Sequence, residues 1–199
     1  MNIIFDIGNV LVRWDPVNIV RSVINAPGAV RVAEHLFAHS DWQEVDKGCL
    51  SIPDVIARAV ERTDIDEDIV TAIYRSVPAS LTPIPENIAV LQQLRQAGFS
   101  LYALSNMGHE SAAYLAATAP FWNEFDARVI SAEVQLVKPD PAIFEYLLKN
   151  NGLTNSDCIF IDDSLINVQV AENLGIKGIH FQSVTQMTTE LRKYISWAE

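Results

Sequence analysis

The 199 residues predict an α/β fold, a doubly wound parallel sheet with helices on both faces and a small helical unit inserted after the first strand. Three observations carry this. Short, continuous apolar runs recur along the chain and end in polar or turn residues. Helix-patterned stretches separate them. The rhythm fails from Trp14 to about Ser80, where only helical patterns occur.

Ile3-Ile4-Phe5, closed by Asp6-Ile7-Gly8-Asn9, reads as a strand buried on both faces. The insert follows, with helices expected near Val17 to Ile24, Val30 to Ala38, Ile52 to Glu61 and Glu67 to Arg75. Leu81-Thr82-Pro83-Ile84-Pro85 is stiff and reads as the return linker. The domain expectation is therefore a core of residues 1–13 and 81–199 around a helical insert of residues 14–80. Pro85 to Ala97 places Ile88, Leu91 and Leu94 at helical spacing, with Pro85 suited to the first turn and Gly98 to the stop. Strands are expected at Leu101 to Leu104, ending in Ser105-Asn106, and at Arg128 to Ile130. Two more are expected at Ile159 to Ile161, ending in Asp162-Asp163, and at Gly178 to Phe181. Helices at Pro141 to Lys149 and Leu165 to Leu174 complete the alternation.

Composition narrows the function. With 49% hydrophobic residues the chain can bury a sizeable core. A formal net charge of -11 repels nucleic acid, and no Lys/Arg cluster offsets it. An anionic substrate then needs a local positive centre, either a metal or a well-placed lysine. Cys49 and Cys158 lie far apart in apolar sequence without metal spacing, which predicts two reduced core thiols. The N-terminal apolar run is broken by Asp6 and has no basic leader, so it does not read as a signal peptide. No apolar run approaches the roughly 20 residues of a membrane span. The expectation is a cytoplasmic protein with neither membrane nor nucleic-acid partner, either a monomer or a homodimer.

Ligands of open parallel sheets bind beyond the carboxyl ends of the strands. The polar groups there are Asp6, Ser105, Asn106, Asp162 and Asp163, and Lys138 follows the Arg128 strand. Singly, most have a structural reading. Asp6 is suited to cap a turn, Ser105-Asn106 to cap the next helix, and Lys138 to an ordinary loop. Asp162-Asp163 differs, because adjacent carboxylates repel unless a cation or helix N-terminus compensates. Together the groups suit a hard cation such as Mg²⁺, held by carboxylates and shared with a phosphate. Lys138 and the metal would screen the phosphate from Asp6, and Ser105 would donate to a phosphate oxygen.

Asp6-Ile7-Gly8-Asn9-Val10-Leu11, Leu104-Ser105-Asn106, Lys138-Pro139-Asp140-Pro141-Ala142-Ile143-Phe144 and Phe160-Ile161-Asp162-Asp163, in this order, resemble the four motifs of the haloacid dehalogenase superfamily. The resemblance spans nearly the whole chain outside the insert. It implies a Rossmann-like core with a helical cap between the first and second motifs. It implies Asp6 as nucleophile and Ser105 and Lys138 as phosphate binders. It implies Asp6, the Gly8 carbonyl, Asp162 and Asp163 as a magnesium site, with Asn106 and Asn167 supporting it. The expected substrate is a small phosphate ester.

One position departs from the pattern. Phosphatases of this superfamily usually carry a second aspartate two residues after the nucleophile as general acid and base, and here Gly8 stands there. Asp-x-Gly-Asn-Val resembles a subgroup that includes bacterial α-D-glucose-1-phosphate phosphatases, near the N-terminal phosphatase domain of epoxide hydrolases. A sugar 1-phosphate leaves as a hemiacetal oxygen, which needs protonation less than an ordinary alcohol, so anomeric phosphates are the expected better substrates. Asn9 or a cap residue is expected to help position the attacking water. In the cap, the polar stretch His39 to Gly48 offers Trp42, Asp46 and Lys47 to a substrate, or else forms a solvated helix end and turn. His109 reads either as a site residue or as a surface helix start. The rival readings are a metal-independent 2-haloacid dehalogenase, a phosphate-binding module without turnover, and, more remotely, a receiver domain.

Overall fold

A computed structural model describes residues 1–24 and 27–197. Residues 25 and 26 of the insert and the last two residues of the expected core segment lie outside the described residues. Among the described residues five parallel strands form one sheet: β1 (Asn2–Phe5), β2 (Ser100–Ser105), β3 (Ala127–Ile130), β4 (Cys158–Asp162) and β5 (Lys177–His180), in the order β3-β2-β1-β4-β5. The chain winds outward from β1 to β2 and β3, then crosses to the other side of β1 for β4 and β5. The direction reverses between β1 and β4, so a switch point opens beyond their carboxyl ends.

The three central strands are apolar through their middles because both sheet faces are covered there. Ile3, Phe5, Leu101, Ala103, Ile159 and Ile161 point into one core cluster, and Ile4, Tyr102, Leu104, Cys158 and Phe160 into the other. On the first face lie α6 (Pro85–Gln96), α7 (His109–Thr118) and α11 (Val184–Leu191). The second carries α9 (Pro141–Asn151) and α10 (Leu165–Asn173). A short α8 (Ser131–Val134) follows β3 directly. Among the described residues no helix is long and apolar enough to cross a membrane.

Between β1 and α6 the chain forms α1 (Pro16–Val23), α2 (Ala29–Phe37), α3 (Ser40–Asp46), α4 (Ile52–Arg62) and α5 (Glu67–Ser80). These helices bury a cluster of their own, with Val20, Leu36, Trp42, Val55, Ile73 and Tyr74 at its centre. The two connecting segments run side by side: Arg13 N–H donates to the Thr82 carbonyl at 2.9 Å, and Ile84 N–H to the Leu11 carbonyl at 2.8 Å. Trp14 packs against the core and insert clusters alike.

Three readings change. The helix expected to stop at Arg75 runs to Ser80 through Pro78. A proline near a helix end sacrifices one backbone bond there, which the packing of Val77 and Leu81 offsets. His39 to Gly48 is more than a solvated helix end, although Ser40, Gln43 and Glu44 are exposed. It contains α3, whose Asp41, Trp42 and Val45 are buried. Cys49 is no core thiol. It is exposed just past the turn that ends α3, while Cys158 is buried as expected.

Candidate active site

The β1–β4 register sets Phe5 opposite Ile161, and Asp6 N–H donates to the Ile161 carbonyl at 2.8 Å. Asp6 and Asp162 are thereby held side by side at the switch point. One carboxylate oxygen each from Asp6, Asp162 and Asp163 lies within 4.8 Å of the others. Lys138 Nζ sits among them, 2.9 Å from Asp6 Oδ1 and 2.7 Å from Asp162 Oδ2, with its side chain only 2% exposed.

Lys138 is delivered by a clamp at the end of β2. Asn106 Nδ2 donates to the Lys138 carbonyl, and Lys138 N–H donates to Asn106 Oδ1, both at 2.8 Å. Burial works against the Lys138 ammonium, but Asp6 and Asp162 outweigh it and hold its pKa above the usual lysine range. Burial pushes Asp6 up to about 6, Lys138 pulling against it and Asp162 adding to it. Asp6 Oδ1 accepts from Lys138 and from Ile7 N–H, whereas its Oδ2 accepts no hydrogen bond among the described residues. That leaves one carboxylate oxygen for chemistry.

The paired acids divide the work. Asp162 is fully buried, and its oxygens accept from Lys138 Nζ, Ser164 N–H and Asn167 Nδ2. Asp163 is half-buried and faces the cavity, where its Oδ2 accepts from Asn9 Nδ2 at 2.9 Å. Asn9 takes a positive φ of 53°, and its Oδ1 accepts from Trp14 N–H at 3.0 Å. The Gly8 carbonyl accepts no hydrogen bond among the described residues. Three carboxylates against one ammonium leave the cluster short of positive charge, and the donors are all hard oxygens. These residues fit a divalent cation of the magnesium kind.

A cavity of about 220 Å³ lies over this cluster. Of the residues expected from sequence it brings together Asp6, Gly8, Asn9, Ser105, Asn106, Lys138 and Asp163, with Trp42 and Asp46 from α3. Lys47 does not line it, because neighbouring residues on a helix point about 100° apart and Asp46 takes the inward position. His109 also faces elsewhere, toward Trp122 and Arg128 on the far side of α7. Residues that the sequence reading missed complete the wall, namely Val12, Trp14, Leu81, Met107 and Ser111. Trp42 is fixed between Trp14 and Tyr74, stacked at 5.9 Å and 5.6 Å. Beneath it Asp41 pairs with Arg58 and Arg62, which outweigh its burial and hold its carboxyl below the usual range.

Residues 1–175 match the model of the haloacid dehalogenase-like hydrolase family. The chain is 25% identical to a sesquiterpene phosphatase of Aspergillus oryzae, over 96% of this chain and 95% of that protein. Its fold is similar to that of a HAD family enzyme from Bacteroides thetaiotaomicron, solved in complex with magnesium and inorganic phosphate. The TM-score is 0.72 at 22% identity, with 89% of this chain and 92% of that one covered. It is also similar to L-2-haloacid dehalogenase from Xanthobacter autotrophicus with chloropropionic acid covalently bound. Here the TM-score is 0.69 at 18% identity, covering 97% and 82%.

Proposed function

The chain belongs to the haloacid dehalogenase-like hydrolase family, and from that premise we propose that it is a magnesium-dependent phosphomonoester hydrolase. Asp6 is its nucleophile, and a small phosphorylated metabolite its substrate. The observation that carries this reading is the buried Lys138 ammonium between Asp6 and Asp162, beside a third carboxylate, Asp163. A carboxylate attacks a phosphate dianion only where the negative charges are screened. An acidic cluster with one cation supplies part of that screening and a seat for the rest.

Magnesium would be held by Asp6, Asp163 and the Gly8 carbonyl, with Asp162 behind them. Bound there, it would supply charge neutralisation and orientation of the phosphoryl group. The chain's own groups do the remainder. Lys138 Nζ and Ser105 Oγ bind phosphate oxygens. Ser105 lines the cavity, and its hydroxyl makes no hydrogen bond among the described residues. Asp6 Oδ2 attacks phosphorus, the ester oxygen departs, and water then hydrolyses the aspartyl-phosphate. Residues 14–80 act as a cap, and Trp14, Trp42, Leu81 and Met107 give the alcohol end of the substrate an apolar, aromatic wall. That wall supports esters with a hydrophobic or ring-shaped body, and the similarity to a sesquiterpene phosphatase points the same way.

The test is a phosphatase screen over sugar phosphates, terpenyl phosphates, nucleotides and short alkyl phosphates. It is run with magnesium and with EDTA, on the wild type and on Asp6→Asn. Hydrolysis lost on chelation and in the variant is expected. Halide release from 2-haloacids in EDTA, or ester turnover that survives both changes, would remove this reading.

A further inference from the structure

The cavity is lined by four titratable side chains among the described residues: Asp6, Asp46, Lys138 and Asp163. Under the reading above, three are committed. Asp6 attacks. Lys138 is paired with two carboxylates that hold its proton. Asp163 accepts from Asn9 and belongs to the acidic cluster. Asp46 is outside that cluster, comes from α3 rather than from the sheet, and forms no ion pair among the described residues.

We propose that Asp46 is the general acid and base of the hydrolysis, an assignment that rests on the phosphatase reading. In the first step an Asp6 oxygen bonds to phosphorus and the bond from phosphorus to the ester oxygen breaks. The Asp46 carboxyl proton moves to that oxygen, so the alcohol leaves neutral. In the second step the Asp46 carboxylate takes a proton from water while the water oxygen bonds to phosphorus. The bond between Asp6 and phosphorus then breaks. Phosphate departs, Asp6 is again a carboxylate, and Asp46 is again protonated.

The placement of Asp46 is fixed from three directions. Gly108 N–H is hydrogen-bonded to its carboxyl. Ser131 Oγ donates to its backbone carbonyl while accepting from Met107 N–H at 2.8 Å, which ties α3 to the segment that follows Ser105 at the end of β2. Gly48, at a φ of 74°, packs directly on Ala132. At Gly8 itself the cavity side is open, since a Cβ built there would meet no atom within 4 Å among the described residues. Burial pushes the Asp46 carboxyl up to about 7, with the Gly108 N–H pulling the other way. A group poised near neutrality serves as both acid and base.

Asp46→Asn keeps an acceptor for Gly108 N–H and removes the transferable proton. Its steady-state turnover of an alkyl phosphate is expected to fall about 10²–10³-fold. On p-nitrophenyl phosphate, whose leaving group needs no proton, the variant is expected to release a rapid burst of nitrophenol stoichiometric with enzyme. Slow turnover then follows as the aspartyl-phosphate waits for a base. Equal losses in the burst and in alkyl turnover, or near wild-type turnover of both esters, would overturn the assignment. A second measurement needs no variant. Wild-type single-turnover rates over a series of esters should vary little with leaving-group acidity, and a steep dependence would also overturn it. A wild type that hydrolyses no ester, or an Asp6→Asn variant that still does, would instead sink the phosphatase reading itself.

Discussion

Lys138 Nζ lies 2.9 Å from Asp6 Oδ1, and the same ammonium is 2.7 Å from Asp162 Oδ2. Binding and stability meet in this pair. Lys138→Met would leave two buried carboxylates without their cation. Breaking a buried pair from one side costs about 3–5 kcal/mol, so a large fall in the denaturant midpoint is expected. Ester turnover should drop by about 10²–10³-fold or more, as on losing a transition-state donor. A variant that melts like the wild type would show that Lys138 is not the cation balancing these acids.

Asp46 carries a liability that can be measured without substrate. Its carboxyl is pushed up to about 7 in the fold, against 3.8 in the open chain. The folded state thus binds this proton more tightly, and the stability it contributes is full below the lower value. That stability is lost as pH rises through the upper one. The penalty at about pH 8 is on the order of 2–4 kcal/mol. Asp46→Asn is therefore expected to melt higher than the wild type near pH 8 in EDTA. The gap should narrow toward about pH 5. A gap that is constant across this range would show that Asp46 titrates as a solvated carboxyl.

Much of this site was legible in the sequence because a parallel sheet buried on both faces writes its strands as apolar runs. Each run stops where backbone and side chains reach the ligand edge. Asp6, Ser105 and Asp162 stand at such stops, and their registers bring them together. Lys138 was legible from its place after the Arg128 strand and from the motif around it, but not the means of its approach, which depends on the Asn106 clamp from the end of another strand. What stayed hidden depends on contacts with no local pattern. The burial of α3 rests on Asp41 meeting Arg58 and Arg62, and on Trp42 fitting between Trp14 and Tyr74. Without those partners, a stretch of acids and amides looks solvated, and nothing chooses Asp46 over Lys47 as the residue turned inward. Cys49 was misread for the same reason, as its apolar neighbours in sequence are not its neighbours in space.

The seat of α3 gives a prediction that touches no reacting group. A Cβ at Gly48 would run into the Ala132 backbone, and the φ of 74° disfavours any side chain. Gly48→Ala is expected to destabilise the fold by about 1–3 kcal/mol. It should also lower ester turnover by lifting Asp46 from the segment that follows β2. Melting and kinetics on the same preparation check this. Loss of stability with unchanged turnover in the folded fraction would separate the seat from the chemistry.

Asn9 links the acidic cluster to the first residue of the insert, Nδ2 bonding Asp163 Oδ2 and Oδ1 accepting from Trp14 N–H. Its positive φ of 53° is one that glycine adopts without strain. Asn9→Gly thus removes the two side-chain bonds while sparing the backbone, and the fold should survive. Asp163 would lose the donor that fixes its carboxylate toward the cavity. Partners of this kind are worth about 10–100-fold in metal affinity. The magnesium concentration for half-maximal ester turnover should rise by that factor, with turnover at saturating magnesium falling less. Calorimetric titration of magnesium into the variant, without substrate, should show the same weakening. An unchanged magnesium dependence would mean that Asp163 needs no orienting partner, or that it does not hold the ion.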